Sequence, residues 1–513
     1  MLEYRYNIYM DYLQLFMHTA IKVPDNCSKD YREFAELLAN IDRILVCTGA
    51  EDRLIHLAVA KMRKRKTISK TWQSRFVDYA SFEIRSNLLR RLLNLDYRAF
   101  SIQASDSAAV QWFINRGRIG GFTGELSGLG LSKSSLERYD KIIGAEALEN
   151  EIRTICAAVA AEGWTGKIPG WKGSVNIRDI WVDCTCLECD IHFPVDWVLL
   201  RDAVRTLVSC IECIRRHGLR HRIREPRLFL SEINKHCIEM SAVSRAKKNA
   251  KRKRKRVLRK MKAVVELVRT HAERYRTLLV SERQARTDLT GAEAAQIIGR
   301  IDEVLMRLPA AIKQAEDRII RERKVEDSEK VLSFYEPNVH AIFRGKSGSL
   351  VEFGNTLYLA ENRDGLIVDF MLYRNRAPAD CKMIKDSLIR CEKAYGSMDS
   401  ITSDRGFHSP DNTTLLSEHQ VVNNILPKSP REMHQAFEDP SFREAQKRRA
   451  QTEGRIGILK NVFIGDRLSA KGFEHQRLEV AWCIMVHNLW VLARMATAVK
   501  RVASNRDTLG NTA

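Results

Sequence analysis

The sequence lacks an apolar run long and clean enough to cross a bilayer. Its most apolar late segment, 478–495, is interrupted by His487, Asn488 and Arg494, whereas a transmembrane helix needs about 20 predominantly apolar residues. A basic-then-apolar leader is also missing from residues 1–10. We therefore expect no membrane segment and no secretory signal.

Cysteine is sparse for a disulfide-stabilised protein, with 12 in 513 residues, so we expect reduced, cytosolic thiols. Two Cys-x-x-Cys pairs, Cys186/Cys189 and Cys210/Cys213, are nonetheless separated by a spacing close to that of a zinc ribbon. The competing interpretation is burial. Cys186 points into the core from a predicted strand, and Cys210 and Cys213 lie on the apolar side of a predicted helix at 199–214.

Acidic residues are outnumbered. Lysine and arginine total 85 against 64 aspartates and glutamates, giving a formal charge of +21, which favours a polyanionic partner. The segment 196–330 has few prolines or glycines and includes the run Lys251-Arg252-Lys253-Arg254, so we predict long basic helices rather than a linker. The run is interpreted as a DNA-backbone contact; a solvated helix face and a localisation-like signal are the alternatives.

The order of predicted elements indicates the fold. A helical region to about 160, with a glycine-rich break at 117–130 and a serine-capped helix start at Ser132, precedes a strand that ends in Asp183. Next come the basic helices, a meander of hairpins and an alternating helix–strand series. The later predictions are strands at 339–343, 349–353, 356–360, 366–373, 398–403 and 421–426, and helices at 378–395, 439–462 and 474–495. This order is the topology of a ribonuclease-H-like core.

Three acids from separated segments are the candidate catalytic residues. Magnesium prefers oxygen ligands and keeps several waters, so phosphoryl transfer needs two or three convergent carboxylates. Asp183 and Asp404 are predicted at strand ends and Glu453 on a helix. A lone acid in such a place is more often a turn or cap residue, and Glu188, Asp190 and Asp196 compete with the first position.

The motifs around these acids resemble the DDE transposases of bacterial insertion sequences, in the group with an R-x3-E-x6-K signature. An arginine four residues before the glutamate and a lysine seven after it project from one side of a helix. Gln446 departs from the pattern, which has tyrosine there. The resembling stretches are Trp181-Val182-Asp183-Cys184-Thr185, Thr402-Ser403-Asp404-Arg405-Gly406-Phe407, and Arg449-Ala450-Gln451-Thr452-Glu453 with Lys460.

The resemblance implies an enzyme that binds terminal inverted repeats, cleaves double-stranded DNA and transfers the freed strand. It implies two Mg²⁺ (or Mn²⁺) ions per site, held by Asp183, Asp404 and Glu453. A homodimer on DNA is expected because two ends are held at once. The expected DNA contacts are Arg449, Lys460, Arg405, Lys346, Lys251, Arg252, Lys253 and Arg254.

The expected architecture is an α/β catalytic core of ribonuclease-H-like topology with a helical N-terminal domain and a helical basic insertion. The domains are predicted as a DNA-binding region at 1–160, the core at 177–197 and 331–497, the insertion at 198–330 and a disordered tail at 498–513. A cytoplasmic, nucleoid-associated bacterial protein is expected. The alternatives are a zinc-stabilised DNA-binding regulator without catalysis and a ribonuclease-H-like nuclease that never joins strands.

Overall fold

The computed structural model describes residues 21, 23–63, 70–114, 131–164, 167–168, 171, 174–244, 249–343 and 350–510. The predicted glycine-rich break at 117–130 and Lys346 lie outside these ranges. The chain divides into two compact units. Unit 1 comprises Met1–Glu188, Thr356–Tyr373 and Ala377–Ala513, and unit 2 comprises Cys189–Asn355 and Arg374–Arg376.

The N-terminal part of unit 1 is helical, as predicted. Ser132 caps a short helix by accepting the Ser135 N–H. The helices are α1 Lys29–Cys47, α2 Ala50–Arg63, α3 Lys70–Leu92, α4 Tyr97–Asp106, α5 Ala108–Ile114, α6 Lys133–Tyr139 and α7 Ala145–Ala160.

The last helix of the chain, Phe473–Gly510, packs against these N-terminal helices. Asn40 donates to the Ala493 carbonyl, and Arg477 pairs with Glu149 at 2.6 Å. By length and composition the stretch Phe473–Ala496 could cross a membrane, but 83% of its most apolar window is buried inside the fold, as in the core helix of a globular domain. The helix continues to Gly510, into the predicted tail at 498–513, because no proline or glycine interrupts it before that residue.

Most of a mixed sheet lies in unit 1, whereas its strand His340–Phe343 and the first residues of the strand Val351–Glu361 belong to unit 2. The strands are β1 Asp179–Glu188, β2 His340–Phe343, β3 Val351–Glu361, β4 Ile367–Leu372, β5 Ser400–Ser403 and β6 Val422–Ile425. The order is β4–β3–β1–β5–β6, with β5 parallel to both β1 and β6 and β4 antiparallel to β3. Strand β2 pairs with the first residues of β3. This mixed sheet is compatible with a ribonuclease-H-like core.

Two strand predictions need correction. The segments 349–353 and 356–360 were expected to be separate strands, but β3 continues through Gly354 as one strand. Gly354 pairs with His340 there, so cross-strand hydrogen bonds hold it in extended conformation. Asp183 lies in the middle of β1 and not at its end, because β1 continues to Glu188.

Helices alternate with the last strands of unit 1. Asp439, Ser409 and three prolines at first helical positions mark helix starts, as expected of N-cap residues and proline. A π-helical segment, Leu459–Ile464, follows α15. The helices are α12 Met383–Tyr395, α13 Pro410–Glu418, α14 Pro430–Ala436, α15 Pro440–Ile458 and α16 Phe473–Gly510.

Unit 2 contains the predicted long basic helices. They are α8 Asp196–Arg216, α9 Arg227–Ser244, α10 Ala250–Arg286 and α11 Gly291–Ala315, and they share one apolar core. Thr290 and Glu293 form a capping box at the start of α11. The units differ in bounds from the predicted insertion at 198–330, and those domain boundaries remain predictions.

Candidate active site

Strand pairing brings the first two candidate acids side by side. Strands β1 and β5 are parallel, with Ile180 opposite Ile401 and Trp181 opposite Thr402. When this register is continued by two residues, Asp183 lies opposite Asp404. Adjacent strands lie about 4.8 Å apart, so the two carboxylates share one edge of the sheet.

Asp404 occupies the turn that follows β5. Its carboxylate caps the short 3₁₀ turn Arg405–Phe407 by accepting the Gly406 N–H at 2.9 Å. Phe407 is fully buried and anchors the turn, whereas Arg405 is exposed. The cap uses one oxygen of Asp404 and orients the carboxylate at the end of the strand.

The third acid comes from α15. Glu453 is exposed on this helix, and Arg449 lies one turn earlier and is half-buried. Both side chains influence the Asp183 carboxyl electrostatically, so the exposed face of α15 is turned towards β1. The structure therefore brings Asp183, Asp404, Glu453 and Arg449 together.

The Asp183 carboxyl is the most perturbed group of this cluster. Burial raises its pKa to about 6, the nearby Asp404 and Glu453 carboxylates add to that increase, and the Cys184 N–H and Arg449 oppose it. The Cys184 N–H donates to Asp183 Oδ1 at 2.7 Å. A carboxylate that is partly buried beside other carboxylates is destabilised in its charged form. A bound cation would remove that destabilisation.

A neighbouring face of α15 is fixed by a buried ion cluster. Glu361, at the end of β3, is 1% exposed and accepts from Arg448 Nη1 at 3.0 Å and Thr452 Oγ1 at 2.8 Å. Arg455 Nε lies 3.7 Å from the same carboxylate. Arg448 also lies over the Trp181 ring, 4.8 Å from its centroid.

Trp181 links this cluster to β1. Its indole Nε1 donates to the Ala445 carbonyl of α15 at 2.9 Å. Trp181 stands two residues before Asp183, so strand and helix are held at a fixed separation where Asp183 and Glu453 project.

Gln446, which stands where the family pattern has tyrosine, makes contacts that depend on its side-chain amide. Its side-chain amide donates to the carbonyls of Ser403, at 3.2 Å, and Asn424, at 2.6 Å. It therefore ties α15 to the ends of β5 and β6, immediately beside Asp404. A tyrosine, which has no such pair of amide hydrogens, could not make the same bridge.

The expected basic contacts have different positions. Lys460 lies in the π-helical segment after α15, and its Nζ donates to the Cys186 carbonyl of β1 at 2.9 Å. Lys460 therefore does not lie on the regular helical face that presents Arg449 and Glu453. In unit 2, Lys251, Arg252 and Lys253 are exposed and Arg254 is half-buried, all at the start of α10.

Two of the competing acids have other partners. The Glu188 carboxylate lies 3.5 Å from Arg467 Nε. Asp196 is the first residue of α8, after the cap position Val195, and its buried carboxylate accepts from Gln314 and Arg318 at 2.9 and 2.8 Å. Among the predicted zinc ligands, Cys210 belongs to the apolar core of unit 2, and Cys189 lies 3.5 Å from Asn355 Oδ1.

Asp380 is a neighbouring acid that sequence reasoning missed. It begins a 3₁₀ turn ahead of α12, within a stretch that reads as an ordinary helix start. The thiol of Cys184, the residue after Asp183, donates to its carboxylate. No spacing signal in the sequence links 380 to 183 or 404, because the contact depends on how the turn is packed.

The donor set fits a hydrated divalent cation. A Cβ at Gly406 would lie 3.0 Å from Asp404 Oδ1 and 3.0 Å from Asp380 Oδ2, so carboxylate oxygens line a space that glycine leaves open. Arg449 Nε is buried without a hydrogen-bond partner among the described residues. In the same residues no three acidic, histidine or cysteine side chains form a ready chelating cluster. Magnesium commonly keeps several waters and needs no closed protein cage.

The mixed sheet carries Asp183 on β1 and Asp404 directly after the parallel strand β5, and Glu453 comes from a facing helix. This arrangement is compatible with a ribonuclease-H-like core. Residues 356–489 match the family model described as transposase DDE domain. This stretch therefore resembles a transposase DDE domain, which confirms that part of the sequence prediction. The matched stretch includes Asp404 and Glu453 but not Asp183. None of the curated proteins and none of the solved structures compared with the chain matches it.

Transposase DDE domains act on DNA and generally use divalent metals, and the strongly basic composition agrees with a DNA substrate.

Proposed function

We propose that this protein is the transposase of a bacterial insertion sequence, which binds the terminal inverted repeats, cleaves the DNA and transfers the freed strands. One observation carries the proposal. Half-buried Asp183, on the central strand, lies beside Asp404 in the β1–β5 register, and partial burial together with Asp404 and Glu453 raises its pKa. Such an arrangement is unfavourable for folding and is useful for binding a cation at a catalytic centre.

In this proposal Asp183, Asp404 and Glu453 hold two Mg²⁺ or Mn²⁺ ions within a ribonuclease-H-like core. The bound ions supply Lewis-acid stabilisation of the phosphoryl oxygens and activation of the attacking oxygen. The chain's own contribution is positioning. The β1–β5 register sets the two aspartates, and the Glu361 cluster sets the helix that carries Glu453.

Arg449, Arg405 and Lys460 are proposed as phosphate contacts around this centre. The guanidinium of Arg449 offers a planar fork of donors, and its buried Nε has no partner among the described residues. Arg405 is exposed beside Asp404. Lys460 uses one of its three donors on Cys186, which lets it combine a structural contact with a phosphate contact.

The start of α10 is proposed as a second, sequence-independent DNA surface. Four consecutive basic residues, Lys251–Arg254, lie in the first turns, where the helix dipole disfavours cations by a few tenths to about 1 kcal/mol each. An anionic partner would offset that cost. A groove of about 350 Å³ opens beside them, lined by Lys251, Arg254, Arg318, Ile319, Glu322, Arg323 and Lys324.

The remaining parts of the proposal follow from the mechanism. The helical region at 1–160 would recognise the inverted repeats, and Lys346 would contact DNA near the core. A homodimer would hold two ends at once. A cytoplasmic, nucleoid-associated location would give access to the chromosome.

The experiment uses the full chain and the DNA that flanks its gene. Labelled end fragments incubated with Mg²⁺ should be cut at the element boundary and joined to a target plasmid. A scrambled fragment of equal length is the control for end recognition. Cutting without joining would indicate a nuclease instead, and the absence of both with intact ends would reject the proposal.

Zinc content separates the remaining alternative. A zinc-stabilised regulator should purify with one zinc per two Cys-x-x-Cys pairs and should lose structure with a chelator. The proposed transposase should purify with substoichiometric zinc and keep its fold after chelation.

A further inference from the structure

Asp380 faces the candidate active site although it belongs to none of the elements that carry the other acids. It is half-buried in the 3₁₀ turn Asp380–Lys382, which leads into α12. The three other carboxylates come from β1, from the turn after β5 and from α15. Asp380 therefore adds a fourth, independent segment to the same place in unit 1.

Its carboxylate approaches Asp404 across Gly406. The position that a Cβ of residue 406 would fill lies 3.0 Å from an oxygen of each aspartate. Like charges that share such a small space repel each other unless a proton or a cation lies between them. The glycine keeps that space open.

A second contact joins Asp380 to the Asp183 side of the site. The Cys184 thiol donates to the Asp380 carboxylate, and Cys184 Sγ also lies 3.4 Å from Met383 Sδ, at the start of α12. The N–H of Cys184 meanwhile donates to Asp183 Oδ1. Asp380 thus contacts the residue after one candidate ligand and faces the other ligand directly.

An ordinary helix-start role does not account for these contacts. An acid ahead of α12 would favour the helix dipole wherever it pointed. Asp411, at the start of α13, shows that alternative, because it is exposed and pairs with Lys382 at 3.1 Å. Asp380 instead is half-buried and lies towards Gly406, Asp404 and the Cys184 thiol.

We propose that Asp380 is a fourth acidic residue of the cation site, which raises the affinity of the Asp183–Asp404–Glu453 centre for a divalent ion through the ion's coordinated water. The inference rests on the proposed function and adds to it a residue that the family signature does not include. Magnesium usually keeps several waters, and groups that hydrogen-bond to the inner ligands commonly change metal affinity by about 10–100-fold.

The test measures Mn²⁺ binding to the full chain by titration calorimetry, without DNA. Asp380→Asn keeps the size of the side chain and removes its charge, and we expect the dissociation constant to rise by about tenfold. Asp411→Asn is the matched control, because it removes a neighbouring acid that points to solvent, and it should bind as the parent does. Asp380→Glu, which keeps the charge, should recover part of the affinity.

Thermal unfolding separates this role from a structural one. Without cation, Asp380→Asn should melt close to the parent temperature, because the amide keeps the size of the side chain. With saturating Mn²⁺ the parent should gain more than the variant.

Equal Mn²⁺ affinities of parent and Asp380→Asn, with Asp404→Asn defective, would overturn this inference and leave the proposed function intact. A parent chain whose Mn²⁺ binding is insensitive to Asp183, Asp404 and Glu453 would overturn both.

Discussion

Unit 1 holds two carboxylates, buried Glu361 and half-buried Asp183, beside neighbouring faces of the same helix, and their surroundings are opposite in charge. Burial is the main factor that raises the pKa of both Glu361 and Asp183. Around Glu361, Arg448, Thr452 and Arg455 oppose that increase. Around Asp183, two further acids reinforce it.

The comparison distinguishes a structural acid from a functional one. Glu361 completes a network that is satisfied within the chain, so its partners can be named from the structure. Asp183 faces Asp404 and Glu453, with only the Cys184 N–H and Arg449 to balance them. A buried acid that its neighbours do not neutralise is a site that needs something from outside the chain.

The largest expected effect is on catalysis. Asp183→Asn, Asp404→Asn and Glu453→Gln should each reduce Mg²⁺-dependent cleavage by roughly 10³-fold or more, because loss of a ligand removes several kcal/mol of transition-state stabilisation. Initial rates on labelled end fragments measure this. Asp411→Asn should cleave as the parent does, and parental rates in the triad variants would contradict the assignment.

The next effect is on stability, at the paired acid. Glu361→Ala leaves Arg448 buried without its main partner and should destabilise unit 1 by about 3–5 kcal/mol. Chemical denaturation of the full chain would report it as a lower midpoint. The neutral isostere in Glu361→Gln should have a smaller effect, since an amide oxygen can still accept from Thr452. Equal decreases in stability for the two variants would show that charge pairing with Arg448 does not explain the effect.

A smaller effect is expected at the turn between β3 and β4. Gly365 has φ +93°, and a Cβ there would lie 1.6 Å from Arg455 Nη1, so Gly365→Ala should cost about 1–3 kcal/mol. The matched control is Gly454→Ala in α15, where nothing lies within 4 Å of the new Cβ. That control should stabilise by up to about 1 kcal/mol, and a reversal of the two signs would contradict the described turn.

The raised pKa of Asp183 predicts that the stability of the fold changes with pH in the opposite direction to that expected for a salt-bridged acid. The pKa of Asp183 is raised to about 6 from 3.8, so the folded protein binds more protons than the unfolded chain between these values. Its contribution to stability is therefore greatest at low pH and is lost as pH rises through about 6. Without divalent ions, Asp183→Asn should be more stable than the parent at pH 8 by on the order of 1 kcal/mol.

Thermal melts of Asp183→Asn and parent at pH 4 and pH 8, both in chelator, measure this difference. The advantage of the variant should shrink at pH 4 and also when Mn²⁺ is added to the parent. An advantage that stays constant across pH would contradict the raised pKa.

The smallest effect concerns the basic start of α10. Lys251→Gln and Arg254→Gln should each lower the slope of log affinity against log salt by about one, because each removes one phosphate contact. Fluorescence polarisation on random duplex DNA gives the slope. Arg259→Gln, further along the same helix, should leave it unchanged. If Arg259→Gln lowers the slope as much as the other two variants, the effect comes from the net charge of the protein and not from a DNA-binding surface at the start of α10.

Sequence patterns predicted much of this architecture where local signals were strong. The strand predicted before Asp183, the short strand before Asp404 and the basic helix with Glu453 are all present. The family match confirms the transposase DDE domain that the motifs around Asp404 and Glu453 predicted. These successes depend on residues close in sequence.

Contacts between distant residues could not be predicted. Glu361 and Arg448 are far apart along the chain, and each reads alone as an ordinary surface residue. Gln446 was seen only as a departure from a pattern, whereas its amide bridges two strand ends. Asp380 gave no signal because its role depends on the absence of a side chain at Gly406.

The central claim is that Asp183, Asp404 and Glu453 converge on one divalent-cation site. Iron-directed cleavage of the polypeptide tests it most directly. Fe²⁺ with ascorbate and peroxide, bound to the full chain, should cut the backbone near all three residues at once, and excess Mg²⁺ should suppress all three cuts together. Cuts confined to the cysteine pairs at 186–213, or cuts near only one of the three acids, would contradict the claim.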